Sequence, residues 1–347
     1  MANEQKRSFL GEIRPEEDFL SAPFRSAVAE AEVEIAGIAQ VGSPCYQLLG
    51  YDDKGTEVLL FEKKMSVKEG GGFSYLHSFD PISFAVYQNA QSLRIRLTGI
   101  EKAELTKLTL TEVEQSAQAE FSRVLRKHRG PKSLKNVLFV GNSLLLGIEN
   151  RYGMCCSAPD KDYFYHVSQE IKKSNPDCQF FKLHGSGIEH AESIEEFEEV
   201  YNERPNIYTK RPVKESFTPD LDLIILQITD NVNTDKKVET FHTTAKLLLE
   251  RIRKNCPHAE ILWVYGWYYK RSVMEYVLDF CKQYDVEPVD LRPVRYRANE
   301  SSRGSIYDSV DGTKKEALEA WLTHPGDSGM RAIADRIIDT LLETKLL

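Results

Sequence analysis

From Glu32 to about Glu112 the chain alternates apolar and polar positions with period two. Val33 and Ile35 alternate with Glu32 and Glu34, and Leu93, Ile95 and Leu97 with Arg94, Arg96 and Thr98. Ile82, Phe84 and Val86 follow the same rule, as do Leu108 and Leu110 beside Thr109 and Thr111. A strand with one core-facing side and one wet side has this pattern, and turn signals such as "DDKG" and "EGGG" separate the segments. The alternation predicts an antiparallel, jelly-roll-like β-sandwich of about 80 residues. As a structural appendage it needs no further chemistry; Tyr75 and Tyr87 are the aromatic residues it would use to bind carbohydrate.

A polar, helix-like segment follows (Glu114 to Lys127), then "HRGPKSLK", and the period changes. Continuous apolar runs at 136–140, 178–183, 222–227, 260–265 and 285–290 alternate with segments such as "TTAKLLLERIRKN" and "SVMEYVLDFCKQY". Strands covered on both faces lose their alternation. The β-α repetition therefore predicts a three-layer α/β/α, flavodoxin-like parallel sheet joined by right-handed crossovers. The expected division is 1–130 for the β-domain and 131–347 for the α/β domain. Ligands of such sheets bind beyond the carboxyl ends of the strands.

A length of 347 residues suggests two domains, or one domain with a large elaboration. A formal charge of -8 argues against a general nucleic-acid binder, which carries a basic face. No apolar run reaches the roughly 20 residues that span a bilayer. The segment "MANEQKRSFLGEIRPEEDF" has no apolar core of signal-peptide length, so a cytosolic location is expected. Six scattered cysteines without a CxxC read as reduced thiols, and eight histidines without HExxH spacing give no zinc site. No metal or organic cofactor is expected.

The strand ends hold the candidate chemistry. In "VLFVGNSLLLG" a buried strand stops at Gly141, which permits a sharp turn, and Ser143 lies where a helix would begin. Ser143 is therefore a helix cap or a nucleophile. The second strand ends in "HGSGIEH", the third in "ITDNVN", and "WLTHPGDSGM" precedes the last helix. A serine hydroxyl is a weak nucleophile until a base takes its proton, and His324 is placed to do so. A tetrahedral intermediate needs fixed donors, which a glycine turn and an asparagine carboxamide supply. "GSGIEH" lacks the third glycine of a dinucleotide turn, "GNSLLLG" lacks the Lys of a P-loop, and no G-x-S-x-G elbow occurs. "GMCCSAPDKDY", Gly153 to Tyr163, reads as a polar loop beyond the nucleophile, able to wall an acyl pocket or merely to connect.

With these segments in this order, residues 135 to 345 resemble the SGNH, or GDSL-like, hydrolase family of esterases and lipases. "VGNSLLLG" matches its first block, with Asn142 where Asp is commoner, and puts Ser143 on the nucleophile. "HGSGIEH" occupies the second, so that Gly187 or Gly185 would donate its amide to the oxyanion. The third block usually reads Gly-x-Asn-Asp; here Thr229, Asp230 and Asn231 stand there, and Asn231 takes the side-chain donor's place. "HPGDSGM" puts His324 on the base. A β-sandwich ahead of such a domain also resembles one group of carbohydrate deacetylases in the family. The resemblance implies hydrolysis of short acyl esters on a carbohydrate or small molecule, through an acyl-enzyme. The family's acid position, three residues before the histidine, is Trp321. A backbone carbonyl near Trp321 or Leu322 is the expected partner of His324, and Asp308, Asp311 and Glu319 are the alternative acids. A sugar-binding protein with a decayed hydrolase site is the non-enzymatic alternative, and a lipase or thioesterase of the same family the enzymatic one.

Overall fold

The computed structural model describes residues 4–13, 19–20, 24–25, 28–68, 70–79, 90–114, 129–147, 149–268, 270–295, 299–301, 304–318 and 321–347. The expected strand at Ile82, Phe84 and Val86, with Tyr87, lies outside these residues, as do all but the first residue of the helix-like segment and Glu319. The chain folds as two compact units, Met1–Val124 and Leu125–Leu347.

The first unit is antiparallel β. Its strands are β1 (Glu4–Ile13), β2 (Phe19–Leu20), β3 (Phe24–Arg25), β4 (Val28–Tyr51), β5 (Glu57–Lys64), β6 (Gly72–Phe79) and β7 (Ser92–Glu114). β4 and β7 pair along nearly their whole length; β1, β2 and β3 pair with β7, and β5 and β6 with β4. The alternation works as expected: Val33, Ile35, Leu93, Ile95, Leu97, Leu108 and Leu110 enter one core. Period two cannot show where one strand ends and the next begins. Segments that read as separate strands are here continuous, with register shifts between Ala36 and Cys45. Gly37 sits at one shift, where a side chain would meet the Glu104 carbonyl at 2.5 Å.

The second unit contains the expected parallel sheet. Its strands are β8 (Asn136–Gly141), β9 (Gln179–His184), β10 (Leu223–Gln227), β11 (Glu260–Tyr265) and β12 (Glu287–Asp290), in the order β12-β11-β10-β8-β9. The connecting helices are α1 (Tyr163–Ser174), α2 (Ser186–His190), α3 (Ile194–Asn202), α4 (Asp235–Asn255) and α5 (Arg271–Gln283); α6 (Asp327–Glu343) closes the chain. Every residue of β10 is buried, as a strand covered on both faces should be. The chain leaves β8 for β9 on one flank and returns to β10 on the other. The strand order reverses between β8 and β10, the kind of junction whose crevice at the carboxyl ends takes the ligand in α/β sheets. Among the described residues no helix is long and apolar enough to cross a membrane.

One expectation at this crevice is corrected. No helix begins at Ser143; residues 142–146 form a tight turn. Asn142 closes it, its carbonyl accepting from the Leu145 and Leu146 amides and its Oδ1 from the Leu144 amide. Leu144, Leu145 and Leu146 are all buried in the same core cluster. Three consecutive side chains point to three sides of a helix, so a turn is what lets all three leave water. Ser143 is therefore not a helix cap, and its hydroxyl does no capping.

The leucines anchor the turn, so truncating one should be costly. Leu145→Ala should destabilise the second unit by about 2–5 kcal/mol, the range for emptying a filled core site. Urea unfolding followed by tryptophan fluorescence would measure it, and a loss of a few tenths would show that the turn is held by its hydrogen bonds alone.

Candidate active site

Ser143 and His324, 181 positions apart, meet at the carboxyl end of β8, with Ser143 Oγ 2.9 Å from His324 Nε2. Both residues are half-buried. His324 lies in the turn before α6, where its amide donates to the Trp321 carbonyl and its own carbonyl accepts from the Ser301 amide. Its Nδ1 is 3.1 Å from the Trp321 carbonyl oxygen and 3.0 Å from the Tyr268 hydroxyl. A carbonyl can only accept, so this contact places the proton on Nδ1 and leaves the Nε2 lone pair facing the serine hydroxyl. The Tyr268 hydroxyl also lies 3.1 Å from Thr323 Oγ1, and burial holds its pKa well above the ordinary phenol value. Asp308 and Asp311 are engaged elsewhere, Asp308 with Lys314 and Asp311 with Thr313 and Lys315.

The loop after Ser143 is packed over its first part, 153–156, and polar and more exposed at 157–161. Met154 donates its amide to the Ser143 carbonyl at 2.8 Å, and Met154 and Cys155 pack with Ala317 against Trp321 and Leu322. The Cys155 thiol lies 3.4 Å from the Trp321 carbonyl, and burial pushes its pKa up to about 11, so it is a neutral thiol at neutral pH.

The two glycines are distinguished by their amides. Gly185 N–H donates to the Gly141 carbonyl at 2.6 Å, and a side chain there would strike Ile228 at 2.7 Å. Gly185 therefore ties the second strand end to the first and has no N–H to offer. Gly187 is the second residue of α2, where helix geometry leaves an N–H without an intrahelical acceptor.

Asn231 does not stand alone. Its carboxamide Nδ2 donates to Glu189 Oε2 at 2.7 Å, and its backbone N–H to Glu189 Oε1 at 3.3 Å. Asn142 Nδ2 donates both to Glu189 Oε1 at 3.0 Å and to Asp230 Oδ2 at 3.1 Å. Asp230 also accepts from the Tyr268 amide at 2.9 Å and from the Gln227 carboxamide. Sequence reading passed over Glu189, Asp230 and Tyr268. Glu189 and Asp230 stand inside the quoted "HGSGIEH" and "ITDNVN", but neither segment shows that its acid faces the other's loop. Among the described residues no three His, Cys, Asp or Glu side chains gather as metal ligands.

Glu189 has no exposed surface. Burial pushes its carboxyl pKa up to about 7, the Asp230 charge adds to the rise, and the amide bonds from Asn231 and Asn142 oppose it. Asp230 is raised too, chiefly by desolvation. The arrangement can pass a proton from the serine hydroxyl to an imidazole beside a cluster of oriented amides.

No family model matches the chain, and no curated protein matches it. Solved structures do. One is an active-site mutant of a family two carbohydrate esterase from Clostridium thermocellum with a cello-oligosaccharide, at 12% identity over 98% of both chains and a TM-score of 0.39. A family two carbohydrate esterase with a carbohydrate-binding domain from Corynascus thermopiles (Myceliophthora fergusii) is 11% identical over 98% of this chain and 99% of that one, with a TM-score of 0.40. An acetyl xylan esterase from the rumen bacterium Butyrivibrio proteoclasticus is 13% identical over 93% of this chain and 88% of its own, with a TM-score of 0.37. Likenesses this distant say nothing of this chain's chemistry.

The raised Glu189 pKa has a sign in stability. The folded carboxyl binds its proton more tightly than the unfolded one, so its contribution is full below the ordinary pKa of 4.5 and is lost as pH rises through about 7. Against Glu189→Gln, which does not ionise, the wild type should lose on the order of 3 kcal/mol of relative stability between about pH 4 and about pH 8. Denaturant unfolding of both proteins across that range would check it; a constant difference would mean that Glu189 titrates as it does in water.

Proposed function

We propose that the protein is a serine ester hydrolase that removes short acyl groups, acetyl foremost, from carbohydrate or small-molecule esters. The observation that carries this reading is the 2.9 Å contact between Ser143 Oγ and the Nε2 lone pair of His324. The hydroxyl attacks the ester carbonyl as its proton passes to Nε2. Negative charge then develops on the carbonyl oxygen, for which the Gly187 N–H and the Asn231 carboxamide are the donors. Collapse expels the alcohol, which takes the proton from imidazolium, and leaves an ester on Ser143. Water repeats the sequence and releases the acid. Through these steps Nδ1–H is held by the Trp321 carbonyl and the Tyr268 hydroxyl, so the pair works as a dyad with neutral acceptors behind it. A neutral acceptor stabilises imidazolium less than a carboxylate, so turnover is expected to be modest. The carbohydrate part of the proposal rests on the sequence resemblance, and the division into domains at residues 1–130 and 131–347 on the change of hydrophobic period between the two halves. No cofactor enters the steps.

Ser143→Ala should lower kcat on a chromogenic acetyl ester by about 10⁴–10⁶-fold with the thermal transition unchanged, since a nucleophile is removed and little packing is lost. A serine-reactive phosphonate should add its mass to the peptide holding Ser143 in the wild type only. Retention of a tenth of the wild-type rate would assign the nucleophile elsewhere. Asn231→Ala should lower kcat by about 10²–10³-fold and leave KM nearly unchanged, because an oxyanion donor acts on charge that exists only in the transition state. Steady-state kinetics on an acetylated oligosaccharide would measure both constants, and an unaltered kcat would remove Asn231 from the site.

A further inference from the structure

We propose that Glu189 is the positioning residue of this site: a buried carboxylate that clamps Asn231 so that one amide hydrogen of its Nδ2 is aimed at the developing oxyanion. The inference rests on the hydrolase reading above and adds to it a residue that touches neither substrate nor nucleophile.

Asn231 is gripped at two points. Its backbone N–H and its Nδ2 go to the two different oxygens of one carboxylate, Oε1 and Oε2. A two-point contact between a residue's main chain and its own side-chain end fixes both torsions of that side chain. In its ionised form, which predominates above about pH 7, the carboxylate offers only acceptors and selects Nδ2 over Oδ1 as the end that faces it. One of the two Nδ2 hydrogens is spent on Glu189. The other keeps a fixed direction and is available to an oxyanion. Without the clamp the carboxamide could rotate by half a turn and present its oxygen, which would repel the oxyanion.

Glu189 also secures the nucleophile's side of the crevice. Its Oε1 accepts from Asn142 Nδ2, and Asn142 is the residue before Ser143 whose carbonyl and side chain close the nucleophile turn. One side chain on α2 thus joins the loop after β8 to the loop after β10. All three bonds come from neutral amides, and Glu189 forms no ion pair among the described residues. Donors with no charge orient without neutralising, and burying a carboxylate on amides alone is a cost that a purely structural site would avoid with a glutamine or an apolar side chain. The glutamate is needed because only a carboxylate accepts at both oxygens.

Glu189→Gln separates these roles. Glutamine keeps the shape, but its Nε2 would face an N–H of Asn231 or Asn142, so one grip is lost. Misplacing a reacting group by about an ångström costs roughly 10²-fold. Glu189→Gln should therefore lower kcat by about 10²-fold, with KM within threefold of wild type and an intact cooperative unfolding transition. The decisive measurement is a double-mutant cycle with Asn231→Ala on the chromogenic acetyl ester. If Glu189 acts chiefly through Asn231, Glu189→Gln should slow the Asn231→Ala background by less than about tenfold, the part owed to its hold on Asn142, against about 10²-fold in the wild-type background. Losses that multiply, or a Glu189→Gln variant with wild-type kcat, would overturn the proposal. A wild-type protein that neither turns over the ester nor takes the phosphonate would instead sink the hydrolase reading. The clamp would then be judged from a crystal structure of Glu189→Gln: a rotated Asn231 carboxamide supports it, and an unmoved one overturns it.

Discussion

A carboxyl group taken wholly out of water must find donors, and Glu189 finds all of its own on two loops that come from different strands. Asn142 belongs to the turn after β8 and Asn231 to the loop after β10. Satisfying one buried acid therefore brings these strand ends and α2 together at the point where the strand order reverses. Gly185 makes the same junction from the backbone side, donating its N–H to the Gly141 carbonyl. Ser143 inherits its position from this arrangement, since it follows Asn142 directly in a turn whose three leucines are sunk in the core. Ser143 thus sits on a turn fixed from below by packing and from the side by polar contacts, and its hydroxyl is kept in place without capping a helix.

Two departures from the blocks of the hydrolase family that the sequence resembles make physical sense together. This chain has an amide, Asn142, where a carboxylate is commoner, and a carboxylate, Asp230, just before the asparagine of the third block. The two side chains bond to each other, Asn142 Nδ2 to Asp230 Oδ2. With Glu189 already buried beside them, a third carboxyl at position 142 would face two others with no donor between them. The amide supplies one hydrogen to each acid instead. The exchange keeps a donor opposite every acceptor.

His324 shows the same economy of charge. The acid position of the family that the sequence resembles falls on Trp321, whose backbone carbonyl meets Nδ1 alongside the Tyr268 hydroxyl. Any residue has a carbonyl, so the turn needs only the right geometry and the side chain at 321 is freed to pack against Tyr307. Orientation and tautomer selection survive this replacement. What is given up is the Coulombic stabilisation of imidazolium that a carboxylate supplies.

Sequence periodicity sufficed for the layers. Alternation in the first unit and continuous apolar runs in the second report directly which faces are buried, because burial repeats with the geometry of the element. The placing of the three segments carrying Ser143, Gly185 with Gly187, and Asn231 was legible for a related reason: each follows a buried apolar run, and strand ends can be counted; the segment with His324 was marked only by the helix it precedes. The turn at Ser143 was not legible, since "SLLLG" suits a helix locally and only the surrounding core shows that all three leucines must be buried. Nor was the separation of Gly185 from Gly187, which depends on one hydrogen bond to Gly141. Glu189, Asp230 and Tyr268 could not be found by any local pattern. A carboxylate's two oxygens choose their partners after the strands have aligned, and those partners lie 42 and 47 positions away for Glu189 and 38 positions away for Asp230. Spacing along the chain carries no record of such contacts; only the folded sheet brings them within reach.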